Sequence, residues 1–111
     1  MKPDELDATF HALASEPRRR MLDWLVKEPG CTVGRLCECF EGELSRFGVM
    51  KHLGVLETAN LVTTRREGRT KLHFLNPVPI QQVADRWIGK YAQPFTRALV
   101  DLKADLESRT A

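Results

Sequence analysis

The sequence predicts a mostly α-helical fold with one small β-hairpin, and three observations predict it. Apolar residues recur at three- and four-residue steps through most of the 111 residues. Residues 61–75 alternate instead, around a glycine. Ser, Thr, Pro and Gly stand between the periodic segments as caps and stops. The length fits one domain, 1–111, and an apolar content of 42 % is ordinary for a globular chain. No apolar run approaches the roughly 20 residues of a membrane span. The start, Met1-Lys2-Pro3-Asp4-Glu5, lacks the apolar stretch of a secretion signal, and three cysteines without such a signal are no disulfide framework. The expected location is therefore cytoplasmic, and the size argues against a large enzyme.

The elements follow in order. Leu6, Phe10 and Leu13 predict a short helix over 4–14. Ser15-Glu16-Pro17 restarts the chain, Ser as cap and Pro in the first turn. Met21, Leu22, Trp24 and Leu25 carry the second helix to about Lys27, and Pro29-Gly30 ends it. Thr32 caps a third helix bearing Val33, Leu36, Cys37 and Phe40; Gly42 stops it. Ser45 caps the fourth, Arg46 to about Thr58. At about 100° per residue, Val49, Leu53 and Leu56 form its core stripe. Phe47, Lys51, Gly54 and Thr58 lie on the far side, flanked by Gly48 and Met50. Leu61–Arg66 and Arg69–Leu75 read as strands joined at Glu67-Gly68, since Gly supplies the positive φ of a tight turn. Leu72 and Phe74 share one face with Thr70; Lys71 and His73 take the other. After Asn76-Pro77-Val78-Pro79, Ile80, Val83, Trp87 and Tyr91 mark a helix that Pro94 must end or kink near Gln93. Phe95, Leu99, Leu102 and Leu106 continue its stripe.

Charge is concentrated. Seventeen Lys and Arg against fifteen Asp and Glu leave a net +2. Yet residues 44–76 hold Arg46, Lys51, Arg65, Arg66, Arg69 and Lys71 against only Glu57 and Glu67. A local basic stripe is the electrostatic footprint of a nucleic-acid-binding face, or else a solvated basic hairpin. The exposed face of the fourth helix is short of carboxylates and has a small residue in its middle, which suits a helix lying in a major groove.

Two helices joined by a short link (32–58), followed by a basic hairpin (61–75), make a winged helix-turn-helix, with five to six helices and a two-stranded wing. The first and last helices, 4–14 and 78–107, carry more apolar side chains than one small core needs. Leu6, Phe10, Trp87, Tyr91, Phe95 and Leu99 form the expected homodimer interface; otherwise they cover their own subunit's core.

Three stretches resemble one family. Residues 10–22, FHALASEPRRRML, are similar to the opening "ALADPTRRRIL" of ArsR-type winged-helix repressors. Ser45-Arg46-Phe47-Gly48-Val49-Met50-Lys51-His52-Leu53, with Val55-Leu56-Glu57, resembles their recognition-helix pattern "SQPAVSKHLRVLEEAGLV". Arg65-Arg66-Glu67-Gly68-Arg69 resembles the wing, and Leu75-Asn76-Pro77 the "LNP" that follows it. Phe47 departs from the family's usual Pro. The resemblance runs over nearly the whole chain. It implies a homodimer, a palindromic double-stranded DNA operator and repression of the protein's own or an adjacent operon.

Metal sensing, the family's best-known activity, finds poor ligands. The two thiolate positions hold Thr32 and Gly34. Cys37 and Cys39, two apart on a helix, diverge by about 200°, so one thiol is expected in the core and the other in solvent. Cys31 lies outside the helix. His11, His52 and His73 are scattered, and only Asp85, Asp101 and Asp105 offer carboxylates of that kind on the last helix. No cofactor or metal is expected, although a thiol- or metal-responsive sensor using Cys31, Cys37 and Cys39 stands as an alternative, as does an interaction dimer without DNA binding. No catalytic constellation is legible. The expected DNA contacts are Ser45, Arg46, Phe47, Gly48, Lys51 and His52 on the helix, with Arg65, Arg66, Arg69 and Lys71 on the wing. Arg46 is placed for base readout, Phe47 for a thymine methyl or the sugar backbone, and His52 for the DNA backbone or the core. Arg18, Arg19 and Arg20 are expected to serve structure, with Glu16 and Asp23 as partners, more than phosphate.

Overall fold

The computed structural model describes residues 1–110, without the side chains of residues 88–89, 92–95 and 110. The chain forms two units, Met1–Ile80 and Gln81–Ala111. The elements run α1 (Pro3–Leu13), α2 (Glu16–Lys27), α3 (Val33–Cys39), α4 (Arg46–Thr58), β1 (Val62–Glu67), β2 (Thr70–Leu75), α5 (Val78–Val83), a π-helical segment (Ala84–Ala92) and α6 (Gln93–Thr110).

The first unit is built by caps and stripes. Ser15, Thr32 and Ser45 each accept a hydrogen bond from a backbone N–H in the first turn of the helix they open, satisfying donors that lack an intrahelical partner. Met21, Leu25, Leu36, Phe40, Val49, Leu53, Leu56 and Leu61 are buried together in one core. α4 turns the expected stripe inward: Val49, Leu53 and Leu56 are almost wholly buried.

The first helix differs from its predicted face. Its buried residues are Thr9 and Ala12, while Leu6 and Leu13 are half-buried and Phe10 is 47 % exposed. Small side chains let α1 lie close to the core, Leu13 packs against its edge, and Phe10 stands to the side.

The hairpin is antiparallel, pairing Val62 with Leu75, Arg65 with Leu72 and Glu67 with Thr70. The turn is therefore Gly68-Arg69, one residue later than predicted, and Glu67 belongs to β1. Gly68 has φ 63°, the conformation a two-residue hairpin turn requires at its first central position when that position is Gly. Leu72 and Phe74 do share a face with Thr70, yet it is His73, on the opposite face, that is fully buried.

His73 joins the hairpin to the segment before α3. Its backbone N–H donates to the Cys31 carbonyl at 2.9 Å, and the Gly30 N–H donates to the His73 carbonyl at 2.9 Å. The His73 Nδ1 also lies 2.9 Å from the Cys31 oxygen. This short bridge ties the wing back to the helical body, so the hairpin does not stand alone.

After the hairpin, the helix expected to end or kink near Gln93 does change there, and a π-helical segment, Ala84–Ala92, lies between α5 and α6. Hydrogen bonding changes from π to α at Gln93. Pro94, which has no N–H to donate, thereby falls in the first turn of α6, where none is needed.

Candidate nucleic-acid interface

The sequence from Arg46 to Leu56 contains no carboxylate. Of these residues, Arg46, Phe47, Met50 and Lys51 are exposed, and Gly48 and Gly54 are half-buried between them and the core stripe. Ser45 Oγ accepts from the Gly48 N–H at 3.1 Å. Its hydroxyl proton stays available, beside the positive end of the helix dipole. Lys51 and Gly54 also border a cleft of about 440 Å³ with Ala8 and His11 of α1.

His52 is half-buried, and its Nδ1 lies 3.2 Å from Arg18 Nη1. Burial, then the Arg18 and Lys51 charges, hold its pKa below the usual histidine value. The neutral ring can accept a hydrogen bond from the Arg18 guanidinium. Its Nδ1 thus faces the protein.

Arg18 does more than meet His52. Its Nε donates to the Ala12 carbonyl at 2.8 Å and its Nη2 to the His11 carbonyl at 2.8 Å. Arg19 Nη1 donates to the Leu13 carbonyl at 2.7 Å. These are C-terminal carbonyls of α1, where intrahelical donors run out; the His11 oxygen also accepts from the Ala14 N–H at 3.3 Å. Arg20 forms a two-pronged pair with Glu43, at 3.0 and 2.9 Å, and lies 3.5 Å from Glu16. Its guanidinium sits 4.9 Å from the centre of the Phe40 ring. The three arginines thus serve the structural role expected. The main acidic partner of Arg20 is Glu43, across the chain, with Glu16 secondary.

The wing divides its cations. Arg65, Arg66 and Arg69 are exposed. Arg65 lies 5.4 Å from the Phe74 ring centre, a cross-strand diagonal contact that steadies it. Lys71 departs from the other three expected wing contacts. It is half-buried, with Nζ 2.9 Å from Oε1 of Glu57 on α4. That same Glu57 oxygen is 4.0 Å from His73 Nε2. Glu57 thus pairs the Lys71 ammonium, whose side chain stays 41 % exposed, and fastens the wing to α4.

Asn60 went unread in the sequence, and Asn76 was read only as a stop and as part of the Leu75-Asn76-Pro77 motif; both do structural work at the same junction. Asn60 adopts φ 59° just past the end of α4. Its N–H donates to the Glu57 carbonyl at 3.0 Å, and the Leu61 N–H donates to the Leu56 carbonyl at 2.9 Å. This is a Schellman closure with Asn in place of the commoner Gly. An Asn followed by two apolar residues after a helical stripe was the available signal. Asn76 then closes the wing: its Nδ2 donates to the Asn60 carbonyl at 2.8 Å, and its N–H to the Leu61 carbonyl at 2.8 Å. The Leu75-Asn76-Pro77 motif is a latch at the wing's base.

The cysteines do not split as predicted between core and solvent. Cys37 and Cys39 are both half-buried against the core. Cys31 is buried, its thiol 3.0 Å from the Glu28 carbonyl oxygen. Burial, with Glu28 beside it, pushes the Cys31 pKa up to about 11. Burial also raises that of Cys39. Thiols held protonated are poor nucleophiles and poor metal ligands. Among the described residues, no three or more His, Cys, Asp or Glu side chains gather to hold a metal ion.

Of the apolar residues predicted to form an interface, Tyr91 and Leu99 are 60 % and 55 % exposed, and Trp87 is half-buried. The Phe95 side chain lies outside the described residues. No helix of the described residues is long and apolar enough to cross a membrane.

No family model matches the chain. It is 35 % identical over 86 residues to YuzN of Bacillus subtilis (strain 168), described as an uncharacterized HTH-type transcriptional regulator; the match covers 74 % of this chain and 94 % of that one. An ArsR-like transcriptional regulator from Rhodococcus sp. RHA1 superimposes with a TM-score of 0.73 at 26 % identity, over 95 % of this chain and 93 % of that one. The chain belongs to the ArsR family of transcriptional regulators. A second crystal structure described as an ArsR family transcriptional regulator matches with a TM-score of 0.72 at 26 % identity, over 86 % of this chain and 95 % of that one. The fold is the winged helix-turn-helix of that family, with α3 and α4 as the paired helices and β1–β2 as the wing. These relatives are all described as transcriptional regulators.

Proposed function

We propose that this ArsR-family regulator is a homodimeric repressor that binds a palindromic operator in its own or an adjacent operon. The observation that carries the reading is the exposed, carboxylate-free surface of α4 from Arg46 to Lys51, continued by Arg65, Arg66 and Arg69 on the wing. Such a surface matches a polyanion, and two copies related by a dyad would present two α4 helices to successive major grooves. Arg46 reads a base edge, since Arg pairs bidentately with guanine. Ser45 and Lys51 meet phosphate or base edges, and Gly48 lets the backbone approach. His52 supports this surface through Arg18. Arg65, Arg66 and Arg69 reach the flanking minor groove or its phosphates. Lys71 contributes mainly by holding the wing.

Dimerisation would bury Leu6, Phe10, Trp87, Tyr91, Phe95 and Leu99. The exposure of Phe10, Tyr91 and Leu99 supports this, because an isolated small chain gains nothing from leaving such side chains in water.

The decisive experiment is a gel shift with the DNA upstream of the protein's own gene, against a random duplex of equal length. Preferential binding is expected, by a species that sediments as a dimer. Arg46→Ala should cost roughly 1–3 kcal/mol on the operator and much less on random DNA. Equal losses on both would remove Arg46 from base readout; no shift at low salt would refute the DNA-binding reading.

A further inference from the structure

We propose that Phe47 and Met50 read thymine 5-methyl groups in the major groove, so that the operator is specified by thymines beside the base recognised by Arg46. This deepens the DNA-binding reading and rests on it.

Phe47 is 76 % exposed and Met50 52 % exposed. A single apolar side chain in water is ordinary. Two of them three apart on one helix are surface neighbours and make a continuous apolar spot. The core of the unit does not use them, because α4 serves it with Val49, Leu53 and Leu56. They are the second and fifth residues of α4, in the N-terminal turns from which a recognition helix reaches base edges.

Charge selects the occupant. Arg46 and Lys51 flank the spot, the wing adds Arg65, Arg66 and Arg69, and no carboxylate interrupts α4 before Glu57. A polyanion is therefore the complementary surface. Within its major groove, the only apolar group at a base edge is the thymine methyl. Gly48, on the flank of Phe47 opposite Met50, agrees with this. A Cβ there would meet Ser45 Oγ at 3.5 Å and Leu44 at 3.8 Å, ordinary contacts. The fold does not demand a glycine at this position, whereas close approach by an outside surface benefits from one.

The test uses the full chain and duplexes that it selects from a random-sequence pool. Each thymine of a selected duplex is replaced in turn by deoxyuridine, which removes only the methyl, and Kd is measured at fixed salt. At one or more thymines per half-site, wild-type binding should weaken about fourfold, the worth of one methyl-sized group taken out of water. Phe47→Ala or Met50→Ala should abolish that sensitivity while keeping the wild-type unfolding midpoint. If no thymine is sensitive although the selected duplexes still outcompete random DNA, methyl reading is refuted and DNA binding stands. Sensitivity that persists in both variants assigns the methyl to another group and also refutes the proposal. Self-association without DNA that Phe47→Ala abolishes would assign the spot to a second copy and overturn it. A folded chain that selects no duplex would refute the underlying reading as well.

Discussion

Replacing Arg18 with alanine removes three interactions at once: two carbonyls at the end of α1, each at 2.8 Å, and the His52 Nδ1 at 3.2 Å. A hydrogen bond from a charged donor contributes roughly 1.5–3 kcal/mol when shielded, and less where water can replace it. Here the guanidinium is half-buried, and its bond to the His11 carbonyl is exposed. The total loss is therefore about 2–3 kcal/mol. A domain of this size loses roughly 4 °C of Tm for each kcal/mol, so the melting point should fall by about 8–12 °C. Circular dichroism at neutral pH reads this directly. Arg18→Lys should recover little, since one ammonium cannot address two carbonyls and a ring nitrogen in a fixed fork. A variant that melts within about 2 °C of wild type but loses DNA affinity would place Arg18 on phosphate and refute the capping account.

Three further outcomes follow from the same geometry. His52 has a pKa below the ordinary 6.5 in the folded state, so the unfolded chain binds its proton more readily. Its contribution to stability is complete above about pH 6.5 and is lost as pH falls toward the depressed folded value; urea midpoints across that window should show a slope that His52→Gln flattens. On the wing, Arg69→Ala should lower the salt slope of DNA binding by about one unit. Lys71→Ala should instead lower stability and leave that slope nearly unchanged, because Glu57 already neutralises the ammonium; a full unit lost would return Lys71 to the phosphate contacts. Finally, mass-mapped alkylation at pH 8 should leave Cys31 unmodified until the chain unfolds, because its thiol is buried with a pKa of about 11. Rapid native labelling of Cys31 would revive a thiol-switch reading.

Much of this molecule is local, and its sequence shows it. Ser15, Thr32 and Ser45 announce helix starts because a hydroxyl two or three residues ahead of free N–H groups is sufficient for capping. The stripe of Val49, Leu53 and Leu56 announces the buried face of α4 because the helix repeat fixes which side chains share a side. Arg46, Phe47 and Lys51 follow as the outward set. Gly68 announces the wing turn, although its placement slipped by one residue: strand pairing decided that Glu67 should face Thr70, and residue preference alone could not.

Long-range pairing decided the rest. Arg46, Lys51, Arg65, Arg66, Arg69 and Lys71 look equivalent as a string of cations. The fold separates Lys71 by setting it against Glu57, which lies fourteen residues away in the chain. The Arg18–His52 contact spans thirty-four positions, and the burial of His73 depends on Cys31, forty-two away. Periodicity and capping act over one or two turns of chain and carry no information about such partners. A titratable side chain acquires its role from the charge and carbonyl oxygens brought beside it, and only the assembled core brings them there.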